Sequence, residues 1–168
     1  MVDLSKVKVA FFDFDDTLCV HRYLNVNRPT RDEWDKAIVT GSKDWYSNTK
    51  YCVPQPAIQA FVHTMAKNNV VCHCLTWSEL NLLEGARRKF LDEHYDKIID
   101  KIYITGSRDG KLKVMDKYVN LLGYKPEELL LIEDHPVTID ECRKAGYSVL
   151  TVSELVMEWS NTVVKELQ

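Results

Sequence analysis

The sequence predicts an α/β fold: a three-layer, Rossmann-like parallel sheet with helices on both faces and a small insertion, a lid or flap, after the first strand. Short apolar runs alternate along the chain with segments in which apolar residues recur at helical spacing. Such alternation is typical of a parallel sheet that is covered on both faces. The chain has 168 residues, which suits one domain with a substantial core. We therefore expect a single domain over residues 1–168.

Five short apolar runs are predicted to be the buried strands of this sheet. They cover residues 7–12, 70–75, 98–105, 129–132 and 147–152. The second run contains Cys72, His73 and Cys74, which we interpret as buried strand residues, because no further Cys or His lies at the spacing of a zinc finger. The chain has five scattered cysteines, an odd number, so no disulfide framework is expected.

Helices are predicted between these strands and after the last one. Proline or serine marks each of four predicted starts, at Pro56, Ser78, Pro136 and Ser153. The helix before the fourth strand has an apolar stripe that is expected to face the sheet, and Gly123 follows it where a left-handed cap is common. The stripe consists of Val114, Met115, Tyr118, Leu121 and Leu122.

Residues 18–53 interrupt the alternation of strands and helices. This segment is too long for a simple connection and is rich in aromatic and basic side chains, including Trp34 and Trp45. Long insertions of this kind are often functional lids. We predict a small cap or flap, whose aromatic and basic side chains either contact the substrate or pack the lid and face solvent.

Composition and charge exclude several classes of protein. The net charge of −3 gives no strong attraction to nucleic acid. No apolar stretch approaches the roughly 20 residues that span a bilayer, and the first eight residues lack the features of a signal peptide. We expect a cytoplasmic protein, monomeric or homodimeric, with no nucleic-acid or membrane partner.

Chemically active side chains follow the predicted strands. Asp13 and Asp15 follow the first strand, Thr76 the second, Lys111 and Lys113 the third, and Glu133 and Asp134 the fourth. In parallel sheets, ligands bind at the carboxyl ends of the strands. The sequence therefore predicts a site at this edge.

This set of side chains suits the hydrolysis of a phosphate ester. The reaction needs a nucleophile, neutralised phosphoryl oxygens and a protonated leaving group. Asp13 and Asp15 can reach one pocket, because alternate residues of an extended chain share a face. Magnesium prefers carboxylate and phosphate oxygens, and a lysine adds positive charge. Lys111 is preferred over Lys113 for this role, because it shares the register of Met115 and Tyr118.

Four segments together resemble the motifs of the haloacid dehalogenase superfamily of aspartate-nucleophile phosphohydrolases. Residues 11–18 look like its first motif, an apolar strand followed by Asp-x-Asp-x-Thr. Thr76 looks like the second motif and Lys111 like the third. Residues 130–134, followed by Ala145 and Gly146, look like the fourth.

The resemblance implies a role for each of these side chains. Asp13 would be the nucleophile and a magnesium ligand. Asp15 would be the general acid and base, with its backbone carbonyl also on the metal. Thr76 and Lys111 would hold phosphoryl oxygens, and Asp134 would be the distal metal ligand.

Two departures refine the resemblance. Glu133 stands where the fourth motif often has glycine, and Thr138 stands where a further acid often follows. The sequence resembles the acidic-pair variant of this motif, which makes Glu133 an additional candidate ligand for Mg²⁺, directly or through water. The modest length of residues 18–53 implies a small cap.

The expected function is therefore a Mg²⁺-dependent phosphatase that hydrolyses a phosphate monoester through an aspartyl-phosphate. A small phosphorylated metabolite, such as a nucleotide or a sugar phosphate, is the expected substrate, and a phosphoprotein is the alternative substrate. The alternative is a non-catalytic module on a similar fold, either a receiver domain phosphorylated on aspartate or a protein-interaction domain. A P-loop kinase is excluded, because the six glycines form no phosphate cradle before a Lys-Ser/Thr pair.

Overall fold

The computed structural model describes residues 2–21, 46, 52–78, 84–107 and 109–158. Five strands form a wholly parallel sheet. They are β1 (Val9–Phe12), β4 (Val71–Trp77), β5 (Ile99–Thr105), β6 (Leu129–Glu133) and β7 (Ser148–Thr151). Two short strands, β2 (Cys19–His21) and β3 (Cys52–Pro54), pair antiparallel in a separate sheet. The predicted α/β sheet is confirmed.

Helices cover both faces of the large sheet. They are α1 (Pro56–Lys67), α2 (Glu84–His94), α3 (Gly110–Leu122), α4 (Pro136–Lys144) and α5, which comprises the described residues 152–158. Residues of α1, α2 and α5 pack with Ala10 and Phe12 on one face. Residues of α3 and α4 pack with Val9 and Phe11 on the other. Successive side chains of β1 point to opposite faces, so this one strand contributes to both cores and the three-layer arrangement follows.

The strand order places β1 at the centre of the sheet. The order is β5-β4-β1-β6-β7, and β1 pairs with β4 on one side and β6 on the other. The chain moves outward from β1 in one direction through β4 and β5, and in the other through β6 and β7. Such a switch point opens a crevice at the carboxyl end of the central strand. The residues after β1 therefore lie where a ligand is expected.

Several predicted boundaries shift by one or two residues. β4 continues through Trp77, so Thr76 lies inside the strand rather than after it. Glu133 is likewise the last residue of β6. All five cysteines are buried free thiols, as the interpretation of Cys72 and Cys74 required. Ser78 is described, but residues 79–83 are not, so the first turn of the helix predicted there lies outside the described residues, as do most of residues 18–53.

The predicted inward stripe of α3 is wrong in its last turn. Met115 and Tyr118 are buried, but Leu121 is 76% exposed and Leu122 is 62% exposed. The chain reverses at Gly123, which has a φ of 75°, and the Tyr124 ring then packs 5.8 Å from that of Tyr118. Tyr124, rather than Leu122, packs against this core.

Among the described residues, no helix is both long enough and apolar enough to cross a bilayer.

Candidate active site

Asp13 lies at the end of β1, in the middle of the sheet edge. Its backbone N–H donates to the carbonyl of Ile132 at 3.0 Å, which continues the ladder between β1 and β6 by one residue. The chain then turns back sharply: Leu18 N–H donates to the Asp13 carbonyl, and Asp16 adopts a left-handed φ of 59°. Because the backbone is held on both sides, the Asp13 carboxylate has a well-defined position at the switch point.

Lys111 binds two carboxylates at this edge. It is the second residue of α3, and its ammonium Nζ lies 2.7 Å from Asp13 Oδ1 and 2.7 Å from Glu133 Oε2. All three side chains are buried. α3 can start this close to the sheet because Gly110 has no Cβ: one would lie 2.6 Å from Cβ of Thr105. The helix start thus places a positive charge against the carboxylate of the candidate nucleophile.

Three carboxylates form a donor set beside this lysine. Oxygens of Asp13, Glu133 and Asp134 all lie within 4.8 Å of one another. Mg²⁺ binds oxygen ligands at 2.0–2.1 Å in octahedral geometry, so ligand oxygens on one ion are about 3–4 Å apart. The residues therefore fit Mg²⁺, and the two distant carboxylates of Asp13 and Asp134 are close enough to share one cation.

The electrostatics of the cluster also suit a cation. Burial, together with the nearby Asp13 carboxylate, raises the pKa of Glu133. Burial, together with Asp13 and Asp16, raises the pKa of Asp134 to about 6. Burial alone would lower the pKa of Lys111, but Asp13 and Glu133 outweigh it and raise that pKa. The cluster contains three carboxyl groups and one lysine, so a bound divalent cation would reduce the repulsion between the carboxylates.

Asp15 lies in a second polar cluster. Its Oδ2 lies 2.7 Å from Nη2 of Arg87 on α2, and its Oδ1 lies 2.9 Å from Nε2 of His21 on β2. The Tyr46 hydroxyl also donates to Oδ1 at 3.1 Å. The Arg87 guanidinium is buried, 5.0 Å from the centre of the Phe14 ring. Asp15 is thus held by three side chains from three parts of the chain.

These contacts set the charge of Asp15. Burial would raise its pKa, but Arg87, His21 and Tyr46 outweigh burial and lower the pKa to about 2. Asp15 is therefore a carboxylate at neutral pH, ready to accept a proton. To donate one to a leaving group it must first take one up, and Arg87 opposes that step.

The structure brings some of the predicted site residues together but not all of them. Asp13, Lys111, Glu133 and Asp134 come together. Thr76 is buried on β4 at the same edge of the sheet, but among the described residues its hydroxyl makes no hydrogen bond to this cluster. Lys113 is largely exposed and pairs with Asp109 on the surface. The preference for Lys111 over Lys113 agrees with this placement.

Sequence reasoning missed the partners of Asp15. Arg87 carried a signal, since it lies three and four residues before the buried Phe90 and Leu91 on α2, where an apolar side chain is expected. His21 and Tyr46 carried none, because both belong to an insertion whose path no local pattern describes. Tyr46 and Arg87 lie 31 and 72 positions from Asp15 in the sequence, so only the tertiary structure brings them to it.

The fold is that of the haloacid dehalogenase-like hydrolases. The chain is similar to a haloacid dehalogenase-like family hydrolase from Streptococcus pneumoniae, with 15% identity over 88% of this chain and 85% of that one and a TM-score of 0.56. It is also similar to a predicted phosphoglycolate phosphatase from Haemophilus somnus, with 12% identity, 86% and 84% coverage and a TM-score of 0.60.

A third similar structure holds ligands. It is a HAD family enzyme from Bacteroides thetaiotaomicron, an aspartate-to-alanine variant in complex with magnesium and inorganic phosphate. It is 11% identical over 86% of this chain and 93% of that one, with a TM-score of 0.53. No family model and no curated protein matches the sequence. At these identities the likenesses establish the fold.

Proposed function

We propose that the chain is a Mg²⁺-dependent phosphatase that hydrolyses a phosphate monoester through an aspartyl-phosphate on Asp13. One observation carries the proposal: Asp13, directly after the central strand, contacts Lys111, and oxygens of Asp13, Glu133 and Asp134 lie within 4.8 Å of one another. A carboxylate beside a lysine and a cation site is the arrangement that lets one anion attack another.

Different residues of the site would bind the metal, bind the phosphoryl group and attack phosphorus. Asp13, Glu133 and Asp134 would hold Mg²⁺, with the Asp15 carbonyl as a further ligand. The ion would neutralise phosphoryl oxygens during transfer. Lys111 and Thr76 would bind phosphoryl oxygens, and Lys111 would leave its contact with Asp13 Oδ1 to do so. The Asp13 carboxylate then attacks phosphorus, the P–O bond to the leaving group breaks, and the phosphoryl group is carried on Asp13.

The ionised Asp15 carboxylate is best suited to the second step of the reaction, the hydrolysis of the aspartyl-phosphate. As a carboxylate it can take a proton from water while that water attacks the phosphorus of aspartyl-phosphate, which frees inorganic phosphate and regenerates Asp13. The proton gained in this step can protonate the leaving oxygen of the next substrate. Because Arg87 and His21 favour ionised Asp15, substrates whose leaving group needs little protonation should react fastest.

The strand order argues against the receiver alternative. Counted over the five strands of the large sheet, the order is third, second, first, fourth, fifth, which differs from the 2-1-3-4-5 order of receiver-type folds. The structure of the neighbour with magnesium and inorganic phosphate, and the phosphatase description of another, support a phosphatase. A small phosphorylated metabolite, such as a nucleotide or a sugar phosphate, is the proposed substrate, with residues 18–53 as the cap that selects it.

The test is turnover of a panel of phosphorylated metabolites by the wild type and by Asp13→Asn. We expect the wild type to release phosphate with Mg²⁺, to stop when EDTA removes the ion and to recover when it is restored. Asp13→Asn should lose at least about 1,000-fold in turnover, since an amide cannot serve as the nucleophile, with its circular dichroism unchanged. Asp92→Asn, at a surface position on α2, is the matched control and should keep full activity.

Near-wild-type turnover by Asp13→Asn would reject the nucleophile assignment. Turnover that survives chelation would reject the metal role. A slow, single labelling of Asp13 without turnover would instead indicate a non-catalytic phosphoacceptor.

A further inference from the structure

A cluster of sulfur and nitrogen ligands lies at the base of the insertion, apart from the acidic site. Cys19 and His21 are two residues apart on β2 and so share a face of the strand. On β3, Cys52 lies directly opposite His21. The three side chains are 0%, 5% and 1% exposed. Pairing of β2 with β3 therefore brings Cys52 to Cys19 and His21, which lie much earlier in the sequence.

The distances in this cluster suit a tetrahedral zinc ion. One ligand atom from each residue lies within 4.8 Å of the other two, and His21 Nδ1 is 3.4 Å from Cys52 Sγ. Zinc binds sulfur at about 2.3 Å and nitrogen at about 2.0 Å, so neighbouring ligands on one tetrahedral ion are about 3.3–3.8 Å apart. Thiolate and imidazole are ligands that zinc prefers and magnesium avoids.

The orientation of His21 is a second, independent observation. Its Nε2 lies 2.9 Å from Asp15 Oδ1, while Nδ1 faces Cys52. Histidines that bind metals commonly donate their other ring N–H to a carboxylate, which fixes the ring and the tautomer. The same arrangement is present here: the Asp15 carboxylate contacts one ring nitrogen of His21, and the Cys52 thiol contacts the other.

We propose that Cys19, His21 and Cys52 bind a zinc ion that fastens the two strands at the base of the insertion. Zinc would take the place of the proton shared between His21 Nδ1 and Cys52 Sγ and would release the thiol protons to solvent. Two cysteines and one histidine leave a fourth position, as zinc sites with three protein ligands do. The proposal can be tested separately from the phosphatase assignment, because none of these three residues belongs to the cluster of Asp13, Lys111, Glu133 and Asp134. Of the proposed catalytic residues, His21 contacts Asp15.

The test is metal binding by the purified chain in the presence of a reductant. We expect it to bind Zn²⁺ at one equivalent in addition to any metal at the acidic site, and Co²⁺ in its place to give the intense absorption of thiolate-bound cobalt. Cys52→Ser should lose that absorption and bind zinc at least 10-fold more weakly. Cys142→Ser, at an equally buried cysteine on α4, is the matched control and should behave as the wild type.

Three outcomes would overturn the proposal. The first is a wild type that shows no thiolate–cobalt absorption, a result that does not depend on whether any variant folds. The second is a Cys52→Ser variant that keeps zinc affinity. The third is a Cys19–Cys52 disulfide, found by mass spectrometry in protein purified without reductant, together with no zinc binding after reduction.

Discussion

At the scale of single residues, Asp15 and Arg87 stabilise each other's charge. Its side chain is 28% exposed, whereas the Arg87 side chain that binds it is only 2% exposed. A guanidinium buried this deeply needs a partner, because an unpaired buried charge is strongly destabilising. Arg87 therefore contributes both to the stability of the fold and to the ionisation of the candidate acid and base.

We predict that Arg87→Met lowers the free energy of unfolding by about 3 kcal/mol, because it leaves the half-buried Asp15 carboxylate without its strongest partner. Urea unfolding measures the loss. Lys89→Met, two residues along α2, is the control: its ammonium is largely exposed and 3.8 Å from Glu93, so its loss should cost less than about 0.5 kcal/mol. Equal losses in the two variants would contradict the assignment.

At the same scale, His73 makes the stability of the folded state depend on pH. It is buried on β4 among the rings of Phe11, Tyr103 and Tyr118. Burial lowers its pKa to about 4, although Asp100 opposes the shift. The neutral ring therefore suits the folded state, and protonation favours unfolding.

We predict that stability falls as the pH is lowered through the unfolded-state pKa of about 6.5 toward the folded-state pKa of about 4, because below 6.5 the unfolded chain binds the proton more tightly. Between about pH 7.5 and 5, His73 should account for about 2 kcal/mol. Urea unfolding of the wild type and of His73→Leu at both values isolates this share. A variant with the same pH dependence as the wild type would show that other groups are responsible.

At the scale of elements, the packing of the start of α3 against the sheet determines the position of Lys111 in the site. Gly110 touches Thr105 at the end of β5, and Lys111 is the next residue. A side chain at position 110 must push the helix away from the sheet, and Lys111 would move with it. The absence of one Cβ thus allows the lysine to reach Asp13.

We predict that Gly110→Ala costs about 1–2 kcal/mol of stability, because the new Cβ overlaps Thr105, and that it lowers phosphatase turnover by displacing Lys111. Gly106→Ala is the control, since a Cβ there meets nothing within 4 Å, and it should change both quantities little. Thermal unfolding and kcat measure the two effects. A stable, fully active Gly110→Ala would show that α3 can shift without moving Lys111.

At the scale of the whole molecule, the acidic site joins segments that are distant in the chain. Asp13 follows β1, whereas Glu133 and Asp134 lie at the end of β6, and the parallel pairing of these strands brings them together. An ion bound there is bound by the folded chain alone, because the unfolded chain does not assemble the site. Metal binding should therefore add to global stability.

We predict that Mg²⁺ raises the melting temperature progressively with concentration, by the equivalent of about 2.7 kcal/mol when the free ion is 100 times its dissociation constant. Sodium chloride at equal ionic strength is the control for screening. Asp134→Asn should keep its fold in the absence of metal and lose most of the Mg²⁺ effect. A melting temperature that does not respond to Mg²⁺ in the wild type would argue against a metal site at this edge.

Much of the fold was predictable from the sequence, because the signals were local. Buried parallel strands appear as short apolar runs, and amphipathic helices as apolar stripes, so the alternation of elements could be read directly. Errors occurred where tertiary packing decided, as at Leu121 and Leu122, which are exposed, whereas Tyr124 packs against Tyr118.

The sequence by itself determined the parallel α/β sheet and the placement of Asp13, Lys111, Glu133 and Asp134 at one edge, since the carboxyl ends of parallel strands must meet there. The tertiary structure alone decided the environment of Asp15 and the meeting of Cys19, His21 and Cys52. These contacts depend on how α2 docks and on the register of β2 with β3. Docking and register depend on which faces of distant segments become buried against each other, so neither follows from the pattern of one segment alone.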